Sequence, residues 1–197
     1  MKSYAADVIL GEAKDVLLVT DSGGNATVRE TPAEYTKRML DYTRNQDALK
    51  IQQSTAKKIE RAIRGSTRKQ LITRPAPDKW SIGEILAHLA EAGLVGGYRT
   101  RLTLGANGTA IQASDQDVWA RNSDYAHQDP HQSLKMFEVL REANLRLLRS
   151  IPKGLWNNYG MHQERGKETI ARVARMFAGH DINHTGQIQA IAKGLTH

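Results

Sequence analysis

The sequence predicts an all-α protein, a four-helix bundle formed by one domain, and three observations support this prediction. Four segments carry apolar residues at steps of three and four, the spacing that places them on one face of an α-helix. Residues typical of helix starts precede two of these segments. A chain of 197 residues is long enough for one domain with a sizeable core. Four amphipathic helices with little else between them are typical of a bundle.

Residues 1–30 differ from the rest of the chain, and we assign them to an N-terminal extension, with the bundle spanning residues 31–197. Two short runs that favour β-structure, residues 15–20 and 26–29, flank the Gly-rich segment 21–25. This pattern predicts a short β-hairpin. An extension without regular structure is the alternative.

The first helix is predicted to begin directly after Thr31. Thr31 caps the helix, Pro32 takes the first helical position, and Glu34 completes a capping box. The helix is expected to run to about Arg64, because Gly65 follows it and glycine is common just past a helix end.

The other three helices follow from the same signals. Ser81 and Glu84 form a second capping box, and the helix that they open is expected to end near Gly105. The third helix is predicted over residues 130–150 and the fourth over residues 167–193. Between these helices we expect two loops, residues 105–129 and 155–166.

Three histidines lie on the apolar faces of two of these helices. His180 and His184 are four residues apart in the fourth helix, so their side chains lie one above the other on the same face. His88 lies in the apolar stripe of the second helix. Three neutral imidazoles can hold one transition metal ion, such as Zn, Ni, Fe or Cu, and leave a coordination position open for a ligand.

A simpler interpretation of each histidine stands beside this one. A core histidine is often only hydrogen-bonded to a backbone carbonyl or a carboxylate. His162, in the second loop near Glu164, is a weaker candidate for a group that orients a metal ligand. The remaining histidines are expected at the surface: His127, His131 and His197.

Composition and charge exclude several classes of function. The chain has no cysteine, so a disulfide, a thiolate metal ligand and a cysteine nucleophile are excluded. No stretch has the length of a membrane-spanning helix and no secretory signal is visible, so we expect a cytoplasmic protein. The net charge is +7, with basic residues dense over residues 57–74. This excess favours a solvated helix end over nucleic-acid binding, because no aromatic residue lies among these charges.

Four separated segments resemble the DinB/YfiT-like family. They occur in the family's order and together span most of residues 31–193: RPAPDKWSIGEILAHL (residues 74–89), DQDVWA (115–120), HQERG (162–166) and HDINHTGQI (180–188). The resemblance implies a four-helix bundle and a metal held by His88, His180 and His184. It also implies a homodimer.

The resemblance further implies a metal-dependent enzyme that acts on a small molecule with a low-molecular-weight thiol as cosubstrate. Activities known in the family include mycothiol-dependent isomerisation and bacillithiol-dependent S-transfer. We therefore expect an S-transferase that uses a divalent metal, Zn or Ni, with hydrolysis as a variant. A non-catalytic stress-response protein that binds a metal or another ligand is the alternative.

Four polar residues near the histidines are candidate helpers. Gln187 is three residues after His184 and is placed to orient a ligand, and Glu91 is three residues after His88 and is placed to accept a proton. We assign both to the catalytic set. Asp181 and Asn183 lie next to the histidine pair in sequence and are expected to fix the imidazole tautomers.

Overall fold

The computed structural model describes residues 18–20, 26–28 and 31–194 of the chain. No helix in this described part is both long and apolar enough to cross a membrane. The α-helices are α1 (Pro32–Tyr42), α2 (Ala48–Ala62), α3 (Arg68–Ile72), α4 (Ile82–Gly105), α5 (Gln116–Asn122), α6 (Pro130–Ser150) and α7 (Ile170–Gly194). The strands are β1 (Leu18–Thr20), β2 (Ala26–Val28), β3 (Thr109–Ile111), β4 (Tyr159–His162) and β5 (Gly166–Thr169).

Four of these helices form the predicted bundle. Helix α2 packs against α6 and α7, and α4 packs against the same two helices, so that the four helices enclose one core. Each contributes apolar side chains to it, among them the fully buried Ile59, Leu86, Phe137 and Ile188. Burial of these side chains supplies the main force that holds the bundle together. The prediction of an all-α four-helix bundle is confirmed.

The prediction of a single first helix is wrong, because the chain forms two helices, α1 and α2, with a turn between them. Asn45 in this turn has a φ of +61°, a left-handed conformation that ends helical geometry. Asp47 then starts a new helix, since its side chain accepts hydrogen bonds from the backbone N–H groups of Leu49 and Lys50. The Asn and Asp turn chemistry outweighs the apolar spacing that runs through this segment.

Helices α4 and α6 have the predicted bounds, but α7 begins at Ile170 rather than at residue 167. The reason is strand β5, which occupies the preceding residues and pairs antiparallel with β4. Strand β3 pairs parallel with β4, so the two predicted loops meet in one three-stranded sheet. Strands β1 and β2 pair antiparallel as the predicted N-terminal hairpin requires.

A buried polar network ties the bundle helices together. The Arg141 guanidinium of α6 pairs with the Asp181 carboxylate of α7 at 2.5 Å, and both side chains are almost fully buried. Arg141 also donates to Gln52 at 2.7 Å, and Thr55 donates to Asp181 at 3.1 Å. These bonds fix the positions of α2 and α6 against the turn of α7 that carries His180.

Helix α1 lies against α7 at very close range. Gly179 is the residue that permits this, because a Cβ at its position would overlap the backbone carbonyl of Met39 in α1. Gly186, seven residues later on the same helix, is exposed and a Cβ there would meet nothing. The two glycines therefore form a matched pair for testing this contact.

The substitution Gly179→Ala is expected to lower the free energy of unfolding by about 1–3 kcal/mol, because the added methyl pushes α1 away from α7. Gly186→Ala is expected to raise it by about 0.5–1 kcal/mol, since alanine favours the helix and meets no neighbour. Urea unfolding followed by circular dichroism measures both values. Equal stability of the two variants would rule out the close contact at Gly179.

Candidate metal centre

The three predicted metal ligands come from two helices that pack antiparallel. Ser81 caps α4 and so fixes its start two turns before His88. His180 and His184 lie on successive turns of α7. Gly96 allows α4 and α7 to approach, because a Cβ there would overlap the ring of Phe177. This packing brings side chains that are far apart in sequence into one site.

The three imidazoles converge on a common point. The Nε2 atoms of His88 and His180 are 2.9 Å apart. The ring centre of His184 lies 4.3 Å from that of His180 and 4.9 Å from that of His88. One ring nitrogen of each residue lies within 4.8 Å of the others, and no other group of three His, Asp or Glu in the described residues does the same. The fold therefore brings the three predicted metal ligands together at one place.

All three imidazoles are held in the neutral form. Burial, together with the neighbouring His184, lowers the pKa of His88 to about 3, and burial together with His184 and His88 lowers the pKa of His180 well below its usual value. Burial also lowers the pKa of His184 to about 4. A neutral imidazole keeps the lone pair that a metal requires. At neutral pH each of the three rings therefore carries a single N–H, and its other nitrogen keeps a lone pair that a metal can use.

Gln187 shows which nitrogen of His184 faces the site. Its side-chain oxygen lies 2.8 Å from His184 Nδ1, and because an amide oxygen can only accept, Nδ1 carries the proton. The lone pair is then on Nε2. A metal-bound histidine usually donates its second ring N–H to such a partner. The donor set and this hydrogen bond together fit a transition metal ion held by His88, His180 and His184.

Glu91 lies beside the site and has a partner of its own. Its Oε2 accepts a hydrogen bond from the buried Tyr125 hydroxyl at 2.5 Å. The ring of Trp80 neighbours both His88 and Tyr125. Its centre lies 5.1 Å from the ring centre of His88 and 6.1 Å from that of Tyr125. Sequence analysis did not identify Tyr125 as a site residue, because it comes from the connection that follows α5 and reaches the site only through the fold.

The two residues expected to fix the imidazole tautomers are placed elsewhere. Asp181 is turned into the core, where it pairs with Arg141. The side-chain oxygen of Asn183 accepts a hydrogen bond from Arg38 of α1 at 2.9 Å. The positive charge of Arg38 adds to the lowering of the His184 pKa that burial causes, which places this cation close to the site. Sequence analysis missed Arg38, since only the packing of α1 on α7 brings it there.

The other histidines that the structure describes lie away from the centre. His162 is buried in β4, and its Nδ1 accepts hydrogen bonds from the backbone N–H groups of Glu164 and Arg165. It closes the β4–β5 turn and does not contact the three metal-site histidines. His127 and His131 are exposed, as expected. His197 lies outside the described residues.

The hydrogen bond between Gln187 and His184 predicts an effect on metal affinity. The substitution Gln187→Leu is expected to weaken binding of Zn²⁺ about 10- to 100-fold, because His184 loses the partner that orients its ring. Competition with a chelator of known affinity measures the change. Gln189→Leu is the control, since this exposed glutamine lies on the same helix. Equal affinity of the two variants would contradict the role of Gln187.

Known proteins with similar sequences carry names that point to metal chemistry. A candidate metal-dependent hydrolase, YfiT of Bacillus subtilis, is 22% identical over 149 residues, which cover 75% of this chain and 83% of that protein. A protein of Oceanobacillus iheyensis with a similar name is 25% identical over 124 residues, covering 63% of this chain and 72% of its own.

A solved structure confirms the architecture. The structure of YfiT from Bacillus subtilis, described as an unusual four-helix bundle, matches with a TM-score of 0.70 at 20% sequence identity. The match covers 88% of this chain and 95% of that one. The family model of the DinB superfamily matches residues 53–188, well over half of the sequence. The chain therefore belongs to the DinB superfamily.

Proposed function

We propose that this protein is a metal-dependent enzyme whose centre is formed by His88, His180 and His184. The observation that carries the proposal is the convergence of three buried, neutral imidazoles with their donor atoms within 4.8 Å of one another. Three nitrogen ligands with an open position are typical of catalytic sites, whereas structural sites are closed by four protein ligands. The expected ion is divalent, Zn or Ni.

The reaction that we propose is S-transfer from a low-molecular-weight thiol to a small electrophilic substrate. The thiol loses its proton to Glu91, its sulfur bonds to the electrophilic carbon, and the leaving group of the substrate departs with the electron pair of the broken bond. A divalent metal with an open position favours the thiolate form of a bound thiol. The chain contains no cysteine, so the sulfur nucleophile has to come from a cosubstrate. Arg38 supports this proposal, because its positive charge near His184 favours an anionic cosubstrate.

The residues beside the histidines have distinct roles in this proposal. Glu91 is the proton acceptor, with Oε2 held by the Tyr125 hydroxyl and Oε1 left for the incoming proton. Gln187 holds the ring of His184 in place. Trp80 covers His88 and limits the access of water to the site.

Hydrolysis is the second candidate reaction, and the names of the relatives favour it. Water would then replace the thiol as nucleophile, and Glu91 would take its proton. The third candidate is a protein that binds a metal or another ligand without catalysis. It predicts metal retention without turnover of either substrate class.

We further propose that the protein is a cytoplasmic homodimer and that residues 1–30 lie outside the bundle domain. Four exposed apolar side chains on the adjacent helices α4 and α6 support the dimer. Leu94 and Tyr98 on α4 are 50% and 61% exposed, and Met136 and Val139 on α6 are 44% and 54% exposed. Monomeric proteins rarely expose large apolar patches, which often mark a contact with another chain.

Metal-free protein reloaded with Zn²⁺ or Ni²⁺ is expected to join a thiol to 1-chloro-2,4-dinitrobenzene faster than the uncatalysed reaction. Glutathione, bacillithiol and mycothiol are tested in parallel, and p-nitrophenyl acetate without a thiol tests hydrolysis. Glu91→Gln is expected to lower kcat about 10²- to 10⁴-fold, the usual contribution of a general base, with metal content unchanged.

Glu142→Gln is the control for this experiment, since Glu142 lies on the exposed face of α6. It should leave kcat unchanged. If the protein turns over the ester but none of the thiol mixtures, the proposed reaction is hydrolysis and not S-transfer. Absence of turnover with every thiol and with the ester, in protein that holds its metal, would support the non-catalytic alternative.

A further inference from the structure

A cavity adjoins the metal centre on the side of the three-stranded sheet. Its empty volume, including the space that is open to solvent, is about 450 Å³. Its walls are largely apolar, formed by Ile111, Ile170, Val173, Met176 and Phe177. The ring of Phe177 lies 6.2 Å from that of His180, centre to centre, so one aromatic side chain separates the cavity from the metal centre.

One face of α4 connects the two places. His88, Ala92, Val95 and Arg99 follow one another at steps of four, three and four residues, so they form a stripe along the helix. Ala92 and Val95 are small and partly exposed. The stripe therefore runs along one face of α4 from the metal centre to Arg99 in the cavity wall. The rise of the helix places Arg99 about 16 Å from His88.

The far end of this stripe carries positive charge. Arg99, Arg165 and Glu168 all line the cavity, and Glu168 pairs with Arg165, so the charge of Arg99 is the one that is left without an ion-pair partner among these three. Burial lowers the pKa of Arg99 and the nearby charge of Arg165 lowers it further, whereas the carboxylates of Glu168 and Glu164 raise it, so these charged groups lie close together. An anion at Arg99 would form charge-assisted hydrogen bonds with its guanidinium group. The apolar walls and the charged end together suit a ligand with an apolar body and an acidic end.

Only one nitrogen of the Arg99 guanidinium group is engaged in hydrogen bonds to the described residues. Its Nη2 binds the backbone oxygen of Gln112 at 2.5 Å and lies 3.5 Å from Ser114 Oγ. Its Nε and Nη1 make no hydrogen bond to the described residues. Arg165 is more fully engaged, since it forms two hydrogen bonds of 2.8 and 3.0 Å with the carboxylate of Glu168. Arg99 is therefore the principal contact for an anion.

We propose that this cavity binds the acidic end of an amphipathic organic anion, whose other end lies at the metal centre. The acid is a carboxylate, sulfonate or phosphate, and the segment next to it is apolar. This assignment of substrate class rests on the proposed function for the reaction at the metal, but the cavity binds its ligand without the metal. A purely structural Arg99 would only hold the segment after β3 through Gln112.

Isothermal titration of the metal-free full-length protein with octanoate and with octan-1-ol tests the proposal. At pH 7.5 octanoate is ionised, and the two probes share the same apolar chain. Octanoate is expected to bind at least tenfold more tightly than the alcohol. Arg99→Gln is expected to remove this preference, and Arg99→Lys, which keeps the charge, should restore part of it.

Arg101→Gln is the matched control, because Arg101 lies on α4 outside the cavity and is exposed. It should change the affinity for octanoate less than twofold. Thermal unfolding of each variant shows whether the fold is kept. Equal binding of octanoate and octanol, no binding of octanoate, or equal effects of Arg99→Gln and Arg101→Gln would overturn the proposal.

The double variant His180→Ala/His184→Ala separates this proposal from the proposed function. Octanoate binding that survives in the double variant supports the cavity as the anion site, whether or not the loaded enzyme turns over any substrate. Octanoate binding that falls as far in the double variant as in Arg99→Gln would place the anion at the histidines and contradict the proposal.

Discussion

The packing of α4 against α7 is the contact on which the candidate site depends. It brings His88 to His180 and His184, and it is close because Gly96 leaves space for Phe177. The buried pair of Arg141 and Asp181 holds α6 to the same turn of α7. Removing one partner of such a pair leaves an uncompensated buried charge, so the pair strongly disfavours any other position of α7.

The site is costly for the protein without a bound ion. Three polar rings are buried together, and Nδ1 of His180 has no hydrogen-bond partner among the described residues. Buried polar groups without full partners lower stability. An ion that binds only the folded protein would offset this cost, and its contribution to stability would grow with its concentration. The centre is therefore better suited to binding an ion than to stabilising the fold by itself.

Sequence reasoning succeeded where one local pattern decides the outcome. The apolar period and the Ser81 capping box predicted α4, and helical spacing placed His180 beside His184. It failed at residues 43–47, where Asn45 and Asp47 divide the first helix. Tyr125 and Arg38 were missed for another reason: each reaches the site from a distant element, and no local spacing reports such a contact. The strands β3, β4 and β5 also depend on pairing across the chain.

The measurement that tests the central claim most directly is the metal content of untagged protein, combined with X-ray absorption at the edge of the metal found. About one divalent ion per chain, with nitrogen ligands and with loss of the ion in His180→Ala/His184→Ala, is the predicted result. Protein that takes up no ion after reconstitution with Zn²⁺ or Ni²⁺ would contradict the account. Full retention of the ion in the double variant would contradict it equally, and the three histidines would then be ordinary core residues.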